Sequence, residues 1–150
     1  MEQYEKKGYL NSEFRLFHLT DQDTKEIDYH YHDFDKITIF TRGKVNYMIE
    51  GRSYDLKPYD IVLVKQGDIH KLTVDNSCPY ERIIVYISPN FMNAYQTESY
   101  DLSYCFKKLI RSTPMFCASP RRKRVPCSVL SLIWNILSLT AAMPPNSTGR

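Results

Sequence analysis

From about Phe14 to Ser88, short strand-like runs alternate with turn residues, the pattern of strands rather than helices. Segments 12–19, 36–41 (KITIFT) and 44–50 (KVNYMIE) read as strands, the last two rich in Ile, Val, Tyr, Phe and Thr and divided by Arg42-Gly43. Glu50-Gly51-Arg52 predicts a tight hairpin into a strand at 53–56. Lys57-Pro58-Tyr59-Asp60 predicts a turn in which proline fixes φ at the second position. The apolar run 61–65 suits a buried strand, and Gln66-Gly67-Asp68 turns the chain again. Strands at 69–74 and 81–88 (ERIIVYIS) complete a set of about seven. No helix lies between them to serve as a parallel crossover, so an antiparallel sandwich or closed barrel is expected.

The β phase ends at Ser88-Pro89, a cap residue followed by a proline suited to the first helical position, and FMNAYQ continues as a short helix. Segment 100–111, with Leu102, Cys105, Phe106 and Leu109 at helical spacing, predicts a second. Composition then shifts. All 12 tyrosines lie at or before Tyr104, whereas five of the eight prolines come after residue 109. Residues 1–101 hold all 17 acidic residues and 12 of the 20 Lys/Arg, a net charge of −5, while residues 102–150 carry +8 with no acid. Two units are therefore expected, a domain at 1–109 and a basic, divergent tail at 110–150, the latter read as an out-of-frame end. The RRKR cluster at 121–124 is a weak match to a phosphate-contacting patch.

The uncharged segment 129–143 is shorter than the roughly 20 residues that span a bilayer, so no membrane partner is expected. The N-terminal residues lack the apolar stretch of a signal peptide, which predicts a cytoplasmic protein. Cys78, Cys105, Cys117 and Cys127 show no CxxC spacing and read as reduced thiols.

Three histidines carry the candidate chemistry. In an extended strand His30 and His32 project from one face, joined by Lys36, Thr38 and Phe40 if no bulge intervenes. With His70 from a neighbouring strand, such imidazoles can converge on a divalent ion. Equally, they can line a polar ligand pocket as donors and acceptors. His18 reads as structural, and Phe34, Phe40, Tyr47, Tyr54 and Tyr86 as core and pocket walls.

The stretch HYHDFDKITIFTRGKVNYMIEGRSYDLKPYDIVLVKQGDIH resembles the two consecutive cupin motifs, with His30, His32, Gly43, Gly67 and His70 in the matching places. Its wording is similar to the N-terminal ligand-binding and dimerisation domains of AraC-family transcriptional regulators, over roughly residues 12–108. The resemblance implies a mainly β, cupin-type antiparallel barrel (jelly roll) followed by short helices. Two positions depart from it: Lys36 stands where metal-dependent cupins carry a glutamate ligand, and Lys65 replaces the motif proline. An ammonium donates hydrogen bonds and repels a divalent cation.

The resemblance implies a domain that senses a small-molecule effector, with sugars among the candidates, and no enzymatic activity, catalytic residue or cofactor. The expected ligand-binding residues are His30, His32, Lys36, Thr38, Tyr47 and His70. No metal is expected; if one binds, its ligands are His30, His32 and His70. Family members dimerise through helices after the barrel, which predicts a homodimer or a heterodimer with a full-length relative. DNA is expected as a partner only through a C-terminal helix-turn-helix domain, which is itself expected to be missing. The rival reading is a metal-dependent cupin enzyme, of isomerase or dioxygenase type, built on the three histidines.

Overall fold

The computed structural model describes residues 4–94 and Phe106. Among them are nine strands and one helix: β1 (Glu5–Lys6), β2 (Phe14–Asp21), β3 (Ile27–Tyr31), β4 (Asp35–Arg42), β5 (Val45–Ile49), β6 (Arg52–Asp55), β7 (Ile61–Val64), β8 (His70–Val74), β9 (Tyr80–Ile87) and α1 (Pro89–Ala94). The strands form a five-stranded sheet, β1-β3-β8-β5-β6, and a four-stranded sheet, β2-β9-β4-β7. Apart from the β5–β6 hairpin, the chain from β2 to β9 changes sheet at every connection, which is how a jelly roll is wound. The expected mainly β barrel is therefore what the chain forms. Among the described residues its one departure from antiparallel pairing is β1, which runs parallel to β3.

The hairpin predicted at Glu50-Gly51 joins β5 to β6 with Ile49 opposite Arg52. Both loop residues have positive φ, 45° and 72°, as a primed two-residue turn requires. The Lys57–Asp60 turn is held by the Asp60 carboxylate, which accepts the Lys57 N–H at 2.8 Å. Ser88 caps α1: its Oγ accepts the Phe91 N–H at 3.0 Å, and Pro89 follows as the first helical residue.

Alternation along the strands sorts side chains into two apolar clusters. Phe40, Val45, Tyr47, Ile49, Leu56, Val62, Val64 and Tyr80 pack between the sheets. Ile37, Ile61, Leu63, Val85 and Ile87 face outward from the four-stranded sheet and are covered by Phe91, Met92 and Phe106. Strand β7 contributes to both clusters and all four of its residues are buried, which accounts for its unbroken apolar run.

Two strands escaped the sequence reading. β1 has two residues, both charged, and is recognisable only through its pairing with β3. β3 (IDYHY) was read only as an extended stretch bearing histidines. The second helical segment and the tail fall outside the described residues, except that Phe106 is helical and buried.

Candidate functional site

The histidines are brought together by strand pairing and by one turn. In the five-stranded sheet His30 of β3 lies directly opposite His70 of β8, and Ile49 of β5 flanks His70 on the other side. His32 follows β3 immediately. Its carbonyl accepts the N–H of Gly67 at 2.9 Å, tying the first histidine segment to the turn that launches β8. Gly67 sits at φ 86°, so the turn needs glycine there. The Asp68 carboxylate closes the same turn by accepting the Lys65 N–H at 3.0 Å. The three rings end up with centroids 4.3–5.0 Å apart, and all three residues are buried.

Each imidazole is oriented by a backbone carbonyl. His30 Nδ1 bonds to Asp28 O at 2.7 Å, His70 Nδ1 to Asp68 O at 2.9 Å, and His32 Nδ1 to Lys7 O. A carbonyl only accepts, so each Nδ1 carries the hydrogen and each Nε2 keeps its lone pair. Lys7 is positioned by its own N–H, which donates to Tyr31 O at 3.0 Å beside the β1–β3 pairing. Strand β1, unseen in the sequence, is thus what aims His32. Burial, followed by the charge on Lys36, pushes the pKa of His32 down to about 4 and that of His70 down to about 2. Burial also lowers that of His30, so all three rings are neutral at pH 7.

Lys36, Thr38 and Phe40 were expected on one continuous face with His30 and His32. The chain instead crosses between sheets at 32–34, and Lys36 approaches from the opposite wall on β4. Its alternation is intact: Lys36 pairs with Tyr86 and Val64, and the β4–β9 irregularity comes later, between Phe40 and Arg42. The ammonium therefore turns inward, donates to Tyr47 Oη at 3.0 Å and lies 5.6 Å from the centre of that ring. Tyr47 in turn stacks near-parallel on His70, at 5.9 Å and 13°. Burial lowers the Lys36 pKa and raises that of Tyr47, so the phenol stays protonated and can donate while it accepts. Thr38, two residues along β4, is buried with an Oγ1 that has no partner.

The six expected site residues thus line one interior. Sequence reasoning missed Arg82. It falls on the inner face of β9, packs over the Tyr80 ring at 4.2 Å and pairs with Asp21 at 2.5 Å. A lone Arg at an inward position of ERIIVYIS was its signal. His18, by contrast, lies outside the barrel, largely exposed and bonded to Glu81 at 2.7 Å. An open cleft of about 410 Å³ between Gly43, Val45, Leu56 and Val74 lies away from the histidines.

The fit to a metal is mixed. Three Nε2 lone pairs backed by Nδ1 hydrogen bonds are the usual preparation of histidine ligands. The candidate donor atoms lie within 4.8 Å of one another, and tetrahedral coordination would draw them to roughly 3.4 Å. The fourth wall is a cation, however, and no carboxylate of the described residues acts on it. As a whole the set does not fit a divalent ion, and no chemistry is assigned to one.

Residues 15–139 match the family described as the AraC-like ligand binding domain. The match runs past residue 109, where the sequence reading places the end of the domain. No curated protein matches the chain. Among solved structures, the chain is similar to a cupin-like protein from Thermotoga maritima, at 20% identity and a TM-score of 0.46. That match covers 53% of this chain and spans only 60% of the other. It is also similar to an RmlC-like cupin family protein with a double-stranded β-helix fold from Methanocaldococcus jannaschii. There the identity is 21% and the TM-score 0.46, over 62% of this chain and 86% of the other. A predicted oxalate decarboxylase from Thermotoga maritima is similar at 17% identity and a TM-score of 0.45, over 51% of this chain and 68% of that one.

Proposed function

The chain belongs to the AraC-like ligand binding domain family, and on that premise we propose that it is a non-enzymatic sensor whose effector binds between the sheets, on His30, His32, Lys36, Thr38, Tyr47 and His70. One observation carries the reading. His32 Nε2, His70 Nε2 and Thr38 Oγ1 are buried without hydrogen-bond partners, in the same interior as an ammonium and a phenol. Each such orphan costs about 1–3 kcal/mol, and these three of the seven among the described residues face the interior that also holds Lys36 and Tyr47. A polar molecule repays that cost by supplying hydrogens to the imidazoles and oxygens to Lys36 and Tyr47.

Neutral Nε2 atoms accept, while Lys36 and Tyr47 donate. Hydroxyl groups do both, so a polyhydroxylated effector such as a sugar matches the array. On this proposal the domain works in regulation of transcription, through pairing with itself or with a longer relative. DNA contact falls to a helix-turn-helix domain and not to the barrel.

Thermal shifts of the purified chain against sugars and small polyols test the reading, with elemental analysis alongside. A bound effector at a hundred times its Kd adds about 2.7 kcal/mol. Stabilisation that disappears in His70→Phe supports the sensor. One metal per chain, lost in His32→Ala, would replace it with the metal-dependent cupin reading.

A further inference from the structure

The inner wall carries two cations, and the chain treats them differently. Arg82 has an acid of its own, with Asp21 Oδ2 2.5 Å from Nη1. Among the described residues Lys36 has none: its hydrogen bond goes to the neutral Tyr47 phenol, and the groups that act on its charge are another phenol, Tyr86, and Arg82 itself. The three imidazoles around it are neutral and offer lone pairs, not negative charge. Among the described residues the inner wall therefore carries one more cationic side chain than anionic, at a half-buried point between the sheets.

A lone buried charge is the costly half of an ion pair, and its cost is recovered when a hydrogen-bonded counter-charge arrives. Resting on the sensor reading above, we propose that the effector is an anion: a carboxylate borne by a hydroxylated molecule, its oxygens on Lys36 and its hydroxyls on the Nε2 atoms of His30, His32 and His70. Tyr47 stands beside the same ammonium with a hydrogen free to donate, so a carboxylate there receives a charged and a neutral donor from adjacent groups. Sugar acids and small hydroxy acids share this chemistry.

The test compares matched probes on the intact chain by calorimetry: glucuronate with glucose, glycolate with ethylene glycol, and acetate with ethanol. We expect each carboxylate to bind at least tenfold tighter than its neutral partner. Lys36→Met should remove that preference, with Lys36→Gln as a second variant and circular dichroism as the check on folding. A tenfold preference for glucuronate over glycolate assigns the sugar-acid class, and the reverse assigns the smaller hydroxy acids. If glucose binds as tightly as glucuronate, the anion inference fails and the sensor reading stands. A carboxylate preference that survives in both variants also overturns the inference. If no probe binds, the inference and the polyhydroxyl reading fail together.

Discussion

Replacing Lys36 with methionine should make the ligand-free domain more stable. The side chains are similar in length, so packing on β4 between Val64 and Tyr86 is kept and the change is mainly one of charge. A fully buried charge without a partner costs roughly 3–5 kcal/mol, which is the upper bound for the half-buried Lys36. Against that relief stands the charged hydrogen bond to Tyr47, worth about 1.5–3 kcal/mol. The balance is a gain of at most about 1–2 kcal/mol at pH 7, each kcal/mol raising Tm by roughly 4–8 °C for a domain of this size. The gain should also depend on pH in a defined direction. The folded pKa of Lys36 lies below the ordinary 10.5, so between those two values the unfolded chain binds more protons. The native protein therefore sheds its lysine penalty as pH rises through that window, and the advantage of the methionine shrinks towards pH 10.5. Urea unfolding of both proteins at pH 7, 8.5 and 10 measures this. A variant destabilised at pH 7 by more than 1 kcal/mol, with no trend in pH, would refute the description of Lys36 as an uncompensated charge.

The buried imidazoles set an acid limit: with folded pKa values below 6.5, stability is full above pH 6.5 and falls below it, down to about pH 4 for His32. Urea midpoints that stay constant from pH 7.5 to pH 4.5 would contradict this. Gly43→Ala should cost more than Gly51→Ala, because both have positive φ but only Gly43 would bring its Cβ to 3.2 Å from Pro79 O and 3.3 Å from Tyr80 Cα. About 1 kcal/mol for Gly51 and on the order of 2–3 kcal/mol for Gly43 are expected from equilibrium unfolding. Ser88→Ala removes the cap of α1 and should cost about 1 kcal/mol in the same assay, with a stability within error of the parent as the contrary result.

Much of the barrel was legible because its strands carry their own signals. Runs rich in β-branched and aromatic residues marked β4, β5 and β9, the unbroken run marked β7, and Glu50-Gly51 and Ser88-Pro89 marked a turn and a cap whose chemistry is local. What failed was long-range. β1 exists only by pairing with β3, 25 residues on, and nothing in the sequence couples Lys7 to His32. The shared face of the histidines and Lys36 was reached by the wrong route, since a single strand was imagined where the chain crosses from one sheet to the other. The convergence survived because opposing walls of a barrel share an interior. Arg82 was overlooked because its partner Asp21 lies on another strand, and an inward charge is recognisable only once its neighbours are known.

The most direct test of the account is the imidazole ¹⁵N spectrum of His30, His32 and His70 during titration with glucose and with glucuronate. Effector binding in the barrel predicts that all three Nε2 resonances move while each Nδ1 keeps its hydrogen. Three Nε2 resonances unmoved under saturating effector, with backbone amide shifts confined to the open cleft at Gly43, Val45 and Val74, would contradict it.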